Sequence, residues 1–283
     1  MLMNINGSLI DFSTPIVMGI LNITPDSFFE GSRYQKEEEI CQKVEEMLQQ
    51  GGKIIDIGGY STRPGAKEVT EKEELDRVIF AMEVMRRNFP DIPVSIDTFR
   101  ANVALTAVRD FGAAIINDIS GGKLDDKMFE TVAALKVPYI LMHMKGNPQT
   151  MQQNTNYVDF IPEIFLYFAE KVDKLKRLGV NDIILDPGFG FAKTLEQNYE
   201  LLGKMNLFSQ FGLPVLAGVS RKRMIWQLLG SSPDESLNGT SVLNMLALTQ
   251  GATILRVHDV KEAVETVKIY SEYKKFLCDS KSD

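Results

Sequence analysis

Polar residues follow most of the short apolar runs in this sequence, at the point where each run ends. They carry amide, carboxylate, hydroxyl, imidazole or guanidinium groups: Asn22, Asp97, Asn117, His143, Asp186, Ser220, Arg256 and His258. One such residue could simply terminate a strand, and for Asp186 alone that reading is as good as a functional one. A whole ring of them points to a ligand, because buried polar groups without partners carry a desolvation cost.

The ring has a chemical character that suggests its ligand. Carboxylates and amides follow the third, fourth and sixth apolar runs, and this pairing suits a flat heterocycle with adjacent NH and amino groups. Arg256 and His258 come just before a helix start at Asp259, and such a place suits a phosphate group. Asp259 is also expected to cap that helix.

Eight apolar runs are predicted to be the strands that position this ring, and each is followed by a helical pattern. The predicted strands span residues 16–21, 53–57, 93–96, 114–116, 137–142, 183–185, 214–217 and 252–255. Units of roughly 20 to 45 residues predict a single (β/α)8 TIM barrel, in which the carboxyl ends of the strands meet on one face. An open doubly wound sheet is the alternative, and the lack of a dinucleotide GxGxxG motif disfavours it.

Local signals add detail to the barrel. Two capping boxes are predicted to begin helices: Thr70 with Glu73, and Thr194 with Gln197. Asn6-Gly7 predicts a β-hairpin over residues 1–13, which we expect to plug one end of the barrel. Residues 278–283 are expected to fray, and residues 1–283 to form one domain.

Composition limits the partners. With a net charge of −7, the chain is expected to bind neither nucleic acid nor membranes, so any anion site must be local. Cys41 and Cys278 are too sparse for a disulfide framework, which predicts a reducing cytoplasm. The apolar stretch 16–23 is interrupted by Gly19 and Asn22 and lacks a basic flank, so it predicts a strand and neither a signal peptide nor a membrane span.

The helix predicted over residues 233–250 has more apolar surface than one buried face needs. Its apolar residues include Leu237, Val242, Leu243, Leu246 and Leu248. The surplus predicts a contact between subunits, and hence a homodimer.

Four motifs resemble those of the dihydropteroate synthase family, in the family's order. They lie at residues 19–28, 58–66, 186–191 and 220–222, and the resemblance extends from about residue 16 to about residue 260. Enzymes of this family join 6-hydroxymethyl-7,8-dihydropterin pyrophosphate to para-aminobenzoate in folate synthesis. They release pyrophosphate and are the target of sulfonamides.

The resemblance implies a role for each matching residue. The residues expected to contact the pterin are Asp97, Asn117, Met142, Asp186, Phe191 and Lys222. Those expected to bind pyrophosphate are Asn22, Arg63, Arg256 and His258, with Mg²⁺ reached through Asn22. Those expected to place the aminobenzoate are Thr62, Pro64, Ser220 and, through its charge, Arg221. The implied catalytic residues are Arg63, Lys222, Arg256 and His258.

Some positions have plainer interpretations or depart from the family. Met142 and Phe191 could be ordinary core. Asp56 is interpreted as a residue that caps its own strand or ties a loop, and Arg223 as a solvated charge. Ala192 replaces a more usual glycine, which is tolerable if its φ is negative, and Tyr60 replaces an acidic or amide residue.

The implied reaction needs charge stabilisation more than a strong base. Pyrophosphate leaves first, the pterin stabilises a cation, and the aryl amine then attacks. A pterin-binding methyltransferase domain is the nearest rival, disfavoured by the motifs at residues 62–64 and 220–222. A non-catalytic pterin-binding paralogue is the other rival, disfavoured by the complete set of residues expected to bind pyrophosphate.

Overall fold

The structure is a computed structural model that describes residues 2–5, 7–23, 33–60 and 68–277 of the 283-residue chain. Several predicted features lie outside the described residues. These are the first loop of the family motif at residues 25–28, the predicted ligands Thr62, Arg63 and Pro64, and the tail at residues 278–283.

Strands and helices alternate along the described part of the chain. The strands are β1 (Leu2–Ile5), β2 (Ser8–Asp11), β3 (Ile16–Asn22), β4 (Ile54–Gly58), β5 (Val94–Asp97), β6 (Ile115–Asp118), β7 (Tyr139–Met142), β8 (Ile183–Asp186), β9 (Leu216–Ala217) and β10 (Ile254–Val257). The α-helices are α1 (Arg33–Gln49), α2 (Glu71–Asn88), α3 (Ala101–Arg109), α4 (Met128–Leu135), α5 (Phe160–Arg177), α6 (Leu195–Gly203), α7 (Arg223–Leu229), α8 (Leu237–Thr249) and α9 (Val260–Leu277).

The eight strands β3 to β10 form one parallel sheet that closes on itself. Their order is β8-β7-β6-β5-β4-β3-β10-β9. A parallel bridge between Leu185 and Val215 joins β8 to the chain just before β9. The predicted (β/α)8 barrel is therefore confirmed, and every predicted strand end lies within two residues of the observed one.

The lower half of the barrel interior is apolar and is covered by the N-terminal hairpin. The side chains that point inward from this half of the strands are Met18, Ile54, Ile115, Ile140, Ile184, Leu216 and Ile254. Met3 and Ile5 of β1, together with Phe12, pack against them. The hairpin predicted over residues 1–13 is thus confirmed, and it seals the amino-terminal end of the barrel.

The upper half of the interior is polar. In several strands the inward-facing residue of the apolar half is followed, two positions later, by an inward-facing polar residue. Side chains alternate in a strand, so residues two apart point to the same side. Four inward aliphatic positions are followed at this spacing by polar residues: Ile54 by Asp56, Ile115 by Asn117, Ile184 by Asp186, and Ile254 by Arg256. In these four strands the amino-acid sequence therefore places an apolar layer next to a polar layer that lies nearer the carboxyl ends of the strands.

The helices cover the sheet, and two of them begin as predicted. Thr70 Oγ1 accepts from the Glu73 amide at 3.2 Å, and the Glu73 carboxylate accepts from the Thr70 amide at 2.9 Å. Thr194 and Gln197 form the same reciprocal pair at the start of α6. Both capping boxes are confirmed. No helix in the described ranges is long and apolar enough to cross a membrane.

Helix α8 buries only part of its apolar surface. Leu243 and Leu248 are buried, whereas Val242 is 52% exposed and Leu246 is 45% exposed. Other large apolar side chains are exposed on the neighbouring α7 and α9: Leu228, Leu229, Ile269, Tyr273 and Phe276. We call these seven exposed residues the α7–α9 surface.

Candidate active site

Arg256 on β10 lies at the centre of a network that ties four strands together. Its Nε donates to Oδ2 of Asp56 at 2.6 Å, and its Nη2 donates to Oδ2 of Asp97 at 2.6 Å. The same Oδ2 of Asp56 accepts from Nδ2 of Asn117 at 3.1 Å. The polar layer thus contains one guanidinium held between two carboxylates, with an amide attached to one of them.

The interpretation of Asp56 as a cap of its own strand is wrong. Asp56 lies inside β4, is fully buried, and bonds to Arg256 of β10 and Asn117 of β6. The sequence did carry a signal, because a carboxylate between Ile55 and Ile57 in a buried strand needs a partner. The partner itself is not visible from the sequence, since Arg256 is 200 positions away.

The charges in this network are strongly coupled. Burial alone would lower the pKa of Arg256. The carboxylates of Asp56 and Asp97 outweigh burial and hold this pKa above its ordinary value, so the guanidinium stays charged. Burial, reinforced by Asp56 and opposed by Arg256, raises the pKa of Asp97 to about 7.

A second group of predicted residues surrounds the end of β8. Asp186 is buried, and its Oδ1 accepts from the Gly188 amide at 2.8 Å. Nζ of Lys222 donates to the Phe189 carbonyl and lies 4.8 Å from the centre of the Phe191 ring. Burial raises the pKa of Asp186, and the Lys222 ammonium opposes that rise. Burial also lowers the pKa of Lys222 to about 8.

Sheet register brings the predicted pterin residues to the same height. Asn117 lies opposite Asp97 in the β5–β6 pair, and Met142 lies opposite Asp186 in the β7–β8 pair. Met142 packs in a small apolar cluster at the carboxyl end of the strands, with Phe191 at its edge. This packing agrees with both interpretations of Met142 and Phe191, as core residues and as one wall of a ligand site.

Asn22, predicted to bind pyrophosphate and Mg²⁺, ends β3 directly opposite Gly58 of β4. A Cβ atom at Gly58 would lie 3.4 Å from Oδ1 of Asn22 and 3.7 Å from Cβ of Asp97. Because Gly58 has no side chain, the Asn22 amide has room to approach Asp97.

Ser220, Arg221 and His258 meet between the ends of β9 and β10. Oγ of Ser220 accepts from the His258 amide at 3.2 Å. Arg221 binds Asp259 with two nitrogens, Nη2 at 2.6 Å and Nε at 3.0 Å. Asp259, predicted to cap α9, directly precedes that helix, and its carboxylate holds Arg221. Arg223 is exposed and bonds to Gln227, as expected for a solvated charge.

The condition set for Ala192, a negative φ, is not met. Ala192 has a φ of +50° and is fully buried. An alanine in this left-handed conformation is strained by about 1–2 kcal/mol relative to the right-handed region, so the surrounding contacts must hold it there. One of these contacts is the Tyr157 hydroxyl, which donates to the Ala192 carbonyl at 2.9 Å.

Tyr60, the other departure from the family, belongs to an aromatic and cationic cluster. Its ring packs edge-on against Phe99, with 5.2 Å between ring centres, and the Arg100 guanidinium lies 5.4 Å from its ring centre. Arg100 also forms an ion pair with the buried carboxylate of Glu74. The tyrosine is therefore accommodated just after β4 by an edge-on contact with Phe99 and by the Arg100 guanidinium.

The fold and the site are those of a pterin-binding enzyme. A model of this family, described as "Pterin binding enzyme", matches residues 18–258, which places the chain among such enzymes. The dihydropteroate synthase of Escherichia coli K12 is 43% identical over 265 residues, covering 93% of this chain and 93% of the relative. That of Synechocystis is 46% identical over 256 residues, covering 89% and 88%.

Solved structures agree. A Yersinia pestis dihydropteroate synthase in complex with a sulfonamide drug superimposes with a TM-score of 0.90, at 42% identity, covering 97% of this chain and 100% of that one. A Xanthomonas albilineans dihydropteroate synthase with 4-aminobenzoic acid gives a TM-score of 0.88 at 35% identity, covering 96% and 98%. The chain belongs to the dihydropteroate synthase family and is a transferase of folate biosynthesis.

Replacing Asp56 by asparagine should destabilise the protein. The Asp56→Asn variant keeps the size of the side chain but leaves Arg256 with one carboxylate. We expect the free energy of unfolding to fall by about 2 kcal/mol, measured by urea denaturation. The matched control is Asp173→Asn, whose surface ion pair with Arg177 should contribute less than about 0.5 kcal/mol. Equal small losses in both variants would contradict the proposed network.

Titration of Asp97 should make the folded protein less stable as pH rises. Its folded-state pKa of about 7 lies above the ordinary value of 3.8. The contribution of protonated Asp97 to the free energy of unfolding is therefore fully present below the ordinary pKa and is lost as pH rises through about 7. Urea denaturation across this range should show a flatter pH dependence in Asp97→Asn, which cannot titrate. Parallel curves for the two proteins would show that folding does not shift the pKa of Asp97.

Proposed function

We propose that the chain condenses 6-hydroxymethyl-7,8-dihydropterin pyrophosphate with para-aminobenzoate to give 7,8-dihydropteroate and pyrophosphate. The observation that carries this proposal is the layer of Asp97, Asn117, Asp186 and Arg256 at the carboxyl end of the barrel. The Xanthomonas albilineans relative was solved with 4-aminobenzoic acid, and a further relative with product. The first ligand corresponds to the aminobenzoate substrate of this reaction, and the second to its product.

The pterin ring is proposed to bind between β5, β6 and β8. A pterin presents ring NH and amino groups beside ring nitrogens and a carbonyl, so it needs acceptors and donors together. Asp97 and Asp186 supply carboxylate acceptors, Asn117 supplies an amide, and Lys222 supplies a donor. Met142 and Phe191 are proposed to cover the flat faces of the ring.

The leaving pyrophosphate is proposed to lie beside Asn22, Arg256 and His258. A guanidinium has five N–H donors, and the bonds to Asp56 and Asp97 use two of them. The remaining N–H groups of Arg256 can therefore face phosphate oxygens while the carboxylates fix the plane of the side chain. Arg63, expected to act on the same group, lies outside the described residues.

Mg²⁺ is proposed to bind with the pyrophosphate, because Mg²⁺ in proteins is commonly held by substrate phosphates, water and one or two protein oxygens. The Asn22 amide oxygen fits such a site. Among the described residues there is no group of three or more histidine, cysteine or carboxylate side chains that could hold a metal ion alone. When bound, the ion would neutralise negative charge that develops on the leaving group.

The aminobenzoate is proposed to lie near Ser220 and Arg221, together with Thr62 and Pro64 outside the described residues. The Ser220 hydroxyl accepts from the His258 amide and can donate its own proton to a carboxylate. Arg221 remains bound to Asp259, so we propose that it acts through charge and by fixing the segment between β9 and α7. A sulfonamide would occupy the same place.

The chemical step is proposed to begin with departure of pyrophosphate. The charged Arg256 is already held in place by two carboxylates, so it needs no reorientation as negative charge grows on the leaving group. Asp97 and Asp186 favour the positive charge that develops on the pterin. The neutral aryl amine then attacks the exocyclic methylene. The protonated amine that forms is acidic enough to release its extra proton to water, so the chain needs no strong general base.

Turnover with both substrates tests this proposal. Pyrophosphate release would be measured with the purified chain, pterin pyrophosphate and Mg²⁺, with and without para-aminobenzoate. We expect release to rise with aminobenzoate and to yield dihydropteroate. Asp186→Ala should weaken pterin binding by about 1.5–3 kcal/mol in calorimetry, and Asp173→Ala serves as its control. Pterin binding without turnover would favour the non-catalytic paralogue.

We further propose a homodimer that forms through the α7–α9 surface. Its seven large apolar side chains lie on consecutive helices, of which α8 packs against both others. Exposed apolar groups in one contiguous area are typical of a protein–protein contact. We also propose the cytoplasm as the location, in agreement with the sparse cysteines.

A charge on the α7–α9 surface should separate the subunits. We expect Leu246→Asp to sediment as a monomer under conditions in which the unmodified chain sediments at twice the monomer mass. The matched control is Leu166→Asp on α5, which is 59% exposed and lies outside this surface. Dissociation of both variants, or of neither, would place the contact elsewhere.

A further inference from the structure

The loop between β8 and α6 has an unusual backbone. Three of its alternate residues have positive φ angles: Gly188 at +74°, Gly190 at +81° and Ala192 at +50°. A Cβ atom at Gly188 would lie only 2.1 Å from the His143 carbonyl oxygen, so this position requires glycine. The alternation turns successive carbonyl groups toward side chains that approach the loop from different directions.

Every carbonyl from residue 188 to residue 192 accepts a hydrogen bond from a side chain. The donors are Lys193 to Gly188 at 2.9 Å, Lys222 to Phe189, Gln152 to Gly190 at 3.2 Å, Lys193 to Phe191 at 3.0 Å, and Tyr157 to Ala192 at 2.9 Å. Lys193 alone supplies two of these donors, from inside the curve of the loop. The Lys193 side chain therefore bridges two carbonyls of the loop that lie three residues apart, at Gly188 and Phe191.

The ammonium of Lys193 has a complete set of acceptors. Besides the two carbonyls, it lies 3.1 Å from Nδ1 of His143. While Lys193 is charged, its ammonium has three donors and no acceptor, so Nδ1 of His143 accepts and the imidazole carries its proton on Nε2. The side chain of Lys193 is 4% exposed, so this cation is buried with three oriented partners.

The same loop carries groups of the proposed pterin site. The Gly188 amide donates to Asp186, the Phe189 carbonyl receives Lys222, and the Phe191 ring lies beside the Lys222 ammonium. A change in the loop would move all of them together. Lys193 itself extends toward His143, in the segment after β7.

We propose that Lys193 is a positioning residue, whose buried ammonium holds the β8–α6 loop in the conformation that places Asp186 and Lys222 for pterin binding. This inference rests on the proposed pterin site. It assigns Lys193 no contact with the substrate. It predicts that loss of the ammonium alters pterin binding through both the geometry of the loop and the charge beside Asp186.

The charged groups around Lys193 determine the sign of its effect. Burial lowers the pKa of Lys193 to about 7, with Asp186 opposing this and Lys222 reinforcing it. Burial, aided by Lys193, Lys123 and Lys145, lowers the pKa of His143 well below its ordinary value, so the imidazole is neutral. Burial raises the pKa of Asp186, and the Lys193 ammonium is one of the groups that oppose this rise, after Lys222, the Gly188 amide and Arg256. Removing the Lys193 ammonium should raise the pKa of Asp186.

The test replaces Lys193 by methionine, which has a similar shape and no charge. Affinity of the full chain for pterin pyrophosphate would be measured by calorimetry from about pH 5 to pH 9, with KM for aminobenzoate measured by turnover. Below about pH 7, where Lys193 is charged, we expect affinity to fall about tenfold or more, and KM for aminobenzoate to change less than about twofold. The acidic limb of the affinity profile should move to higher pH, which a purely structural defect would not cause.

Two further variants keep the test decisive. Lys176→Met makes the same substitution on the exposed face of α5 and should leave affinity and pH profile unchanged. Lys193→Gln retains hydrogen-bond donors without the charge; it should show a smaller loss with the same shift of the acidic limb. It also replaces Lys193→Met if circular dichroism shows that the methionine variant does not fold.

The outcomes separate this inference from the proposed function. Unchanged affinity and an unchanged acidic limb in folded Lys193→Met or Lys193→Gln would overturn the inference. Failure of the unmodified chain and of Lys176→Met to bind pterin pyrophosphate would instead overturn the pterin site itself, and the inference with it.

Discussion

The structure depends on one physical constraint, the pairing of a largely buried guanidinium with two carboxylates inside a barrel. Removing charges from water is costly unless they are paired with good geometry and further hydrogen bonds. Arg256, Asp56 and Asp97 meet this condition through contacts of 2.6 Å, and Asn117 binds the oxygen of Asp56 that faces Arg256. Because these groups come from four strands, the pairing fixes the relative positions of those strands where the ligand is proposed to bind.

The barrel makes this arrangement possible by separating an apolar half from a polar half. The eight strands enclose the interior, and the hairpin covers the aliphatic layer at the amino-terminal end. That layer provides hydrophobic stabilisation that does not depend on the charged layer. The charged residues above it thus lie on rigid strands whose register the lower layer maintains.

Strand positions and the ring of polar residues could be predicted from the sequence because both follow from local patterns. Apolar runs, capping boxes and residues at strand ends are visible within short segments. The partner of Asp56 could not be predicted, because Arg256 lies 200 positions away and no local pattern connects them. The left-handed conformation of Ala192 and the burial of Lys193 could not be predicted for the same reason. Their conformations depend on Tyr157 and His143, which belong to other segments.

The measurement that tests the central claim most directly is a double-mutant cycle on affinity for pterin pyrophosphate, with Asp56→Asn and Arg256→Met alone and together. If Asp56 acts on the ligand through Arg256, its substitution should weaken binding in the original chain and have little further effect once Arg256 is gone. The coupling free energy should then be about 1–3 kcal/mol. Additive losses would contradict the account, because they would show that the two side chains act on the ligand independently.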